Sequence, residues 1–272
     1  MKRLLITGAA GNMGTALRQR LGHLAEIVRI SDIAGMGETA AREEPWPCDL
    51  ADTDGVMRMV EGCDGIIHLG GVPSENTFAR ILESNIKGLH NLYEAARSHG
   101  KPRILFASTN HTIGFYRQDQ FIGVGDPVKP DGLYGVSKCF GEGLARMYFH
   151  KFGQETAIVR VGACWPKPTT VRMLSIWLSF DDMASLAERV FKAPYLGCPT
   201  IWGVSDNQPK WWDNSASAYL GWAPKDSAEI YRAELERDPG IPARDSSQAQ
   251  WQGGGFVDDP IYTDQLSVSI NR

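Results

Sequence analysis

Over its first two-thirds the chain alternates short apolar, β-branched runs with stretches in which apolar residues recur every three to four positions. Runs of the first kind are Arg3–Thr7, Glu26–Ser31, Gly65–Leu69, Arg103–Ser108 and Thr156–Val161. They are apolar on both sides, as strands covered on both faces must be, so a parallel sheet sandwiched between helices is predicted. The helical period predicts helices over Asn12–Leu21, roughly Phe78–Ser98, and Leu133–Phe152. Beyond Gly162 the pattern is less regular: a helix over Phe180–Lys192, a short strand near Thr200–Trp202 and a helix near Ser227–Glu236. From Asp238 onward Gly, Pro, Ser and Asp dominate, which predicts extended packing or partial disorder.

Between the first strand and the first helix lies Thr7-Gly8-Ala9-Ala10-Gly11-Asn12-Met13-Gly14. A turn that binds phosphate needs Gly8 to bend, Gly11 to let the backbone approach a pyrophosphate, and Gly14 to let helix and strand pack closely. Asn12 and Met13 then open a helix whose free amides and positive dipole face the anion. Asp32 ends the second strand 18 residues after Gly14, where a carboxylate receives the ribose hydroxyls of an adenosine. That carboxylate repels a 2′-phosphate and Ile33 supplies no guanidinium to receive one, so the cofactor expected is NAD rather than NADP. Asp49 and Leu50 have two readings that stand equally: they hold the adenine edge, or they cap a helix over Ala51–Glu61. The fold class expected is therefore α/β, a Rossmann-type doubly wound parallel sheet. Residues 1–162 form its NAD-binding domain and residues 163–272 a smaller substrate-capping region packed on it.

Tyr134-Gly135-Val136-Ser137-Lys138 sets a phenol and an ammonium four residues apart on one helix face. Such pairs are common. Two further features give this one chemical meaning: the strand Arg103–Ser108 leads into Thr109, and Thr109 lies 25 residues before Tyr134. Strand tips at the carboxyl edge of such a sheet are where ligands bind. Taking a proton from an alcohol while hydride leaves its carbon needs a base, and a nearby ammonium lowers the pKa of a phenol toward that role. The Thr109 hydroxyl would hold the substrate oxygen in line.

Composition narrows the classes. The 272 residues are 43% hydrophobic and 22% charged with a formal net charge of −4, which offers no basic surface to nucleic acid or an anionic membrane. No apolar run approaches the ~20 residues of a membrane span, and the apolar start through Ile6 is too short for a signal peptide. Five scattered cysteines are odd in number, fit a reducing cytoplasm and show no metal-pair spacing, so no metal is expected.

The glycine pattern, Asp32, Asp49-Leu50, Tyr-x-x-x-Lys, Arg160-Val161-Gly162 with Pro166, and Leu220-Gly221-Trp222 with Pro224 resemble the extended short-chain dehydrogenase/reductase superfamily. Longer stretches resemble its uronate dehydrogenases: His68-Leu69-Gly70-Gly71, Asn91 to Arg97, Asn110-His111-Thr112-Ile113-Gly114, Ser137 to Glu142 and Trp211-Trp212-Asp213-Asn214. The resemblance implies NAD-dependent oxidation of C1 of a cyclic hexuronate to an aldarolactone. It makes Tyr134 the base, Lys138 its activator and ribose anchor, and Thr109 the hydroxyl usually supplied by Ser. Leu69 and Gly70 join the cofactor site, and Asn85 supports a water near the lysine. Asn110 and His111 contact the sugar and Arg172 binds its carboxylate, for which a guanidinium fork suits; without the resemblance, Arg172 reads as a surface residue and His111 as a structural one.

Pro73 and Ala163 stand where the family pattern carries Ser, with Ser74 next door and the bulky Trp165 close by. The substrate site expected is Ser74, Thr109, Asn110, His111, Tyr134, Ala163, Trp165 and Arg172. A pocket with altered donors discriminates differently, so another anionic hexose such as sulfoquinovose is the alternative. A nucleotide-sugar epimerase and a non-catalytic NAD-binding sensor rank behind it. Trp211 and Trp212 read as core or subunit-contact residues. The partners expected are a small acidic sugar and further copies of the chain in a homo-oligomer.

Overall fold

The apolar runs form strands because their successive side chains point to opposite faces and both faces are covered. In the computed structural model, which describes residues 1–237 and 240–262, the chain runs β1 (Arg3–Thr7), α1 (Asn12–Leu21), β2 (Ile27–Ser31), β3 (Glu43–Pro45), α2 (Thr53–Val60) and β4 (Gly65–His68). It continues through α3 (Phe78–Ile81), α4 (Gly88–Ser98), β5 (Arg103–Thr109), β6 (Ile122–Gly123), α5 (Leu133–Phe152), β7 (Thr156–Val161) and β8 (Ala163–Cys164). Then come α6 (Met173–Ile176), β9 (Trp177–Leu178), α7 (Phe180–Lys192), β10 (Thr200–Gly203), β11 (Trp212–Asp213), α8 (Arg232–Leu235) and α9 (Ser247–Gln250).

Seven strands form one parallel sheet in the order β3-β2-β1-β4-β5-β7-β10. Leu4 and Ile6 face one side with Leu17, Leu21, Met183 and Leu186 of α1 and α7. Leu5, Ile66 and Phe106 face the other with Met59, Leu92 and Tyr148 of α2, α4 and α5. This is the doubly wound architecture predicted. The strand order reverses between β1 and β4, which opens a crevice at their carboxyl ends. Thr7 pairs with both Ser31 and His68 at that edge. β5 runs past the end of β4, since His68 pairs with Phe106 while Thr109 pairs with Val161. The overhang carries Thr109 into the crevice.

Three details differ from the sequence reading. The helix expected over Phe78–Ser98 is broken by a π-helical turn, Leu82–Lys87, whose wider winding turns Asn85 into the buried interior. The helix expected at Ala51 begins at Thr53, and its cap is Asp52, which accepts from the Gly55 amide. The Asp49 side chain accepts from Ala51 in the turn before it and not from a helix amide, so the capping reading of Asp49 and Leu50 falls. The stretch near Ser227–Glu236 is a 3-10 turn (Ala228–Tyr231) followed by the single turn of α8.

Residues beyond Gly162 also build the main sheet, through β10 and through α7 packed on α1. Of the irregular tail expected from Asp238, residues 238–239 and 263–272 lie outside the description. Residues 240–262 pack back on the body, with Gln252 fully buried. No helix among the described residues is long and apolar enough to cross a membrane.

Candidate active site

The crevice between β1 and β4 holds a cavity of about 520 Å³ whose walls include Gly8, Gly11, Asp32, Leu50, Leu69 and Gly70. Gly8 has φ +69, and a Cβ there would sit 2.8 Å from the Gly70 amide nitrogen, so the backbones of the two loops approach as only glycine allows. Both oxygens of Asp32 brace this rim: one accepts from Ala10 in the glycine loop at 3.0 Å, the other from Ala34 at 3.0 Å. Asn12 is exposed at the first position of α1, while Met13 leans on the core beneath it. A cradle of glycine backbone, a helix N-terminus and a carboxylate at the far wall fit a dinucleotide.

The rim has a second brace that sequence reasoning missed. Thr7 Oγ1 accepts from Gly70 and lies 2.7 Å from His68 Nδ1. Burial drives the His68 pKa down to about 3 and the Lys138 charge adds to the drop, so the imidazole is neutral. The Asn85 amide accepts from Val72 N and donates to Val72 O and to Ser137 Oγ, so it ties the cavity wall to α5.

Thr109, Tyr134 and Lys138 meet where β5 overhangs the crevice. All three side chains are buried. The Tyr134 phenol hydrogen-bonds to Thr109, and the Lys138 ammonium lies 5.8 Å from the centre of its ring. Burial pushes the phenol up to about 12, with Thr109 pulling the other way and Asp131 adding to the rise. Burial pulls Lys138 down to about 8. The expected lowering of the phenol by the lysine charge is therefore absent in the protein alone. Lys138 Nζ instead donates to the Ala107 carbonyl at 2.8 Å, and desolvation of the phenol dominates.

Next to Thr109, the Asn110 amide donates to the Val161 carbonyl at 3.3 Å and accepts from Arg172 Nη2 at 2.8 Å. His111 Nδ1 lies 2.7 Å from Asp131 Oδ2, its ring centre is 3.9 Å from that of Phe256 and 6.0 Å from that of Tyr134. Arg172, at the start of α6, directs Nε and Nη2 to the Gln252 carbonyl at 2.9 and 2.5 Å. One edge of its guanidinium is thus taken by the protein's own tail, which leaves Nη1 rather than the full fork for a ligand. Burial lowers its pKa to about 10, against the pull of Asp131.

Ser74 is exposed on the loop before Glu75, Trp165 is 49% exposed with its carbonyl held by Trp177 Nε1, and Ala163 packs among Ile113, Ile176 and Trp212. Trp211 and Trp212 are core residues as expected; Trp212 stacks on Trp202 at 4.7 Å. Asp131, Gln252 and Phe256 belong to the site and escaped the sequence reading. Asp131 lies between Pro130 and Gly132 just before a helix, and the other two lie in the Gly-rich tail. Among the described residues no cluster suited to a metal ion occurs, and all five cysteines are free thiols.

Comparison with known proteins follows the same lines. Residues 4–164 match the NAD dependent epimerase/dehydratase family. The chain is 56% identical to a uronate dehydrogenase of Agrobacterium fabrum (strain C58 / ATCC 33970), over 96% of this chain and 99% of that one. The structure of a uronate dehydrogenase mutant from Agrobacterium tumefaciens complexed with NAD superposes with a TM-score of 0.95 at 56% identity, covering 97% of this chain and 100% of that one. A glucuronic acid dehydrogenase from Chromohalobacter salexigens gives 0.92 at 54% identity, covering 94% and 96%.

Proposed function

The chain belongs to the NAD dependent epimerase/dehydratase family, within the group of the uronate dehydrogenases, and we propose that its site oxidises C1 of a cyclic hexuronate to the aldarolactone. It is an NAD-dependent sugar-acid dehydrogenase. One observation carries the reading: a buried Thr109–Tyr134–Lys138 centre stands beside Asn110, His111 and a desolvated Arg172 on the same strand edge.

NAD⁺, when bound in the β1–β4 crevice, supplies the hydride acceptor and a cationic ring whose charge favours the phenolate form of Tyr134. Asp32 receives the adenosine ribose hydroxyls, and Lys138 keeps a proton to offer from the side facing Tyr134. Tyr134 takes the proton of the C1 hydroxyl while Thr109 holds that oxygen in line. Asp131 keeps the proton of His111 on Nδ1, which leaves Nε2 to accept from a sugar hydroxyl. Arg172 Nη1 meets the C6 carboxylate in a pocket dry enough for the charge pair to count.

Residues 163–272 supply Arg172 and the tail that closes the sugar side, which supports their role as a cap. A homo-oligomer is the assembly we favour: Val136, Phe140 and Met147 on α5 and Phe78 on the adjoining α3 leave apolar side chains exposed. Free thiols support a reducing cytoplasm.

The test is NADH formation from glucuronate, galacturonate, sulfoquinovose and neutral hexoses, with Tyr134→Phe as control. Turnover of uronates by the wild type alone is expected. Turnover of neutral hexoses only, or near-normal turnover by Tyr134→Phe, would overturn the assignment. Turnover of the sulfonated sugar without the uronates would replace the carboxylate by a sulfonate.

A further inference from the structure

The catalytic helix α5 begins without a cap of its own. Gly132, at its N-cap, has no side chain to offer the first amides, and no acidic residue lies in the first turn. Those amides are nevertheless held. Glu75, from the loop after β4 and 58 and 59 positions away in sequence, accepts from Leu133 N at 3.0 Å and from Tyr134 N at 2.9 Å, one carboxylate oxygen to each. The approach is tight: a Cβ on Gly132 would sit 2.3 Å from Glu75 Oε2. Glu75 is itself buried, an unusual place for a carboxylate without a specific partner. A charge-assisted pair of hydrogen bonds at a helix N-terminus also gains from the helix dipole.

The same loop grips Tyr134 from the other side. Val72, in the cofactor cavity wall, is held at both its N–H and its carbonyl by the Asn85 amide. Asn85 then donates to Ser137 Oγ, and Ser137 Oγ donates to the Tyr134 carbonyl at 2.7 Å. Both backbone polar groups of the catalytic tyrosine are thus fastened to the chain segment that walls the dinucleotide crevice. Movement of that wall reaches the phenol through two short, rigid paths, and Glu75 is the charged member of the shorter one.

We propose that Glu75 is a positioning residue for the oxidation: its carboxylate sets the start of α5 against the cofactor wall, so that filling the crevice fixes the Tyr134 phenol at its reacting distance. This rests on the functional reading above. The Glu75 carboxylate is spent on the Leu133 and Tyr134 amides rather than on the sugar-side groups Asn110, His111 or Arg172, so its loss should leave sugar affinity and lower the chemical step. A misplacement of about 1 Å at a reacting group lowers rates by up to roughly 100-fold.

The experiment compares wild type, Glu75→Gln and Glu75→Ala in two readouts. In steady-state kinetics, Glu75→Ala is expected to lose roughly 10–100-fold in kcat with the uronate KM changed by less than about threefold. Glu75→Gln keeps one acceptor oxygen and should recover part of that loss. In amide hydrogen exchange, NADH should raise protection at residues 133–136 of the wild type, less in Glu75→Gln and not in Glu75→Ala. A Glu75→Ala protein with reduced thermal stability but wild-type kcat would reduce Glu75 to a structural cap and overturn the proposal. So would NADH that binds the wild type without changing exchange at residues 133–136. If Glu75→Ala does not fold, Glu75→Gln decides by the same two readouts. A wild type that makes no NADH from any sugar acid would remove the functional reading instead, and the exchange experiment still judges the clamp.

Discussion

Replacing Arg172 with Ala separates two ways in which a guanidinium can hold an acidic sugar. In the free protein the Nε and Nη2 atoms are committed to the Gln252 carbonyl and the Asn110 amide. One nitrogen, Nη1, is left to meet a carboxylate. A single hydrogen bond to a charged group contributes about 1.5–3 kcal/mol, which at 1.36 kcal/mol per tenfold is a rise in KM of roughly 10–150-fold. A fork released from Gln252 and closed on the carboxylate would lose more, about 2–5 kcal/mol, and push the rise into the thousands at its upper end. The assay is steady-state NADH formation with glucuronate over a wide concentration range, beside a neutral hexose as a poor substrate. KM for the uronate should rise within the lower window while the neutral sugar keeps its wild-type constants. An equal loss on both sugars would refute the reasoning, because Arg172 would then be serving only Gln252 and Asn110.

Lys138→Met should abolish turnover yet stabilise the fold at pH 7. The fall of the Lys138 pKa from its usual 10.5 to about 8 by burial is a desolvation penalty of roughly 3 kcal/mol at most. It is fully present below pH 8 and relieved as the pH rises to 10.5, where the unfolded chain holds the proton and the folded one does not. Chemical denaturation at pH 7 and pH 10 should show a gain for Lys138→Met that shrinks at the higher pH; a constant difference would contradict the burial argument. Asp32→Ala should narrow the preference for NAD⁺ over NADP⁺ and also weaken both, since the carboxylate braces the glycine loop through Ala10; unchanged cofactor kinetics would deny it both roles. Glu142→Ala strips a buried partner from Arg160, which it binds through two contacts of 2.8 Å with Ser108 as a third donor. The loss should be about 3–5 kcal/mol and lower Tm by roughly 6–20 °C, measured by thermal unfolding.

The elements that bury apolar surface were legible because their pattern is local. β1, α1, α5, β7 and α7 have the limits their periodicity predicts, and the glycine loop lies where its spacing places it. The π turn that places Asn85 was not, since a helix that winds wide keeps nearly the same apolar pattern as one that does not. Glu75 and Gln252 were invisible for another reason. Glu75 acts on amides 58 and 59 positions away, and Gln252 acts on Arg172 through a backbone carbonyl that any residue carries. The pKa of Tyr134 was misjudged because a sequence shows which charges are near one another along a helix, while desolvation depends on everything packed around them.

The tail carbonyl at Gln252 gives the two halves of the site different birthdays. Every group that walls the dinucleotide crevice, and the Thr109–Tyr134–Lys138 centre, lies before residue 139. The contacts that aim Arg172 and cover His111 wait for residues 252–256. Along the sequence, the redox centre and the residues that finish the sugar pocket are thus more than 100 positions apart. Shortening the chain just ahead of Gln252 should spare the crevice that holds the cofactor and loosen the aim of Arg172, so that acidic sugars are sorted less sharply from neutral ones.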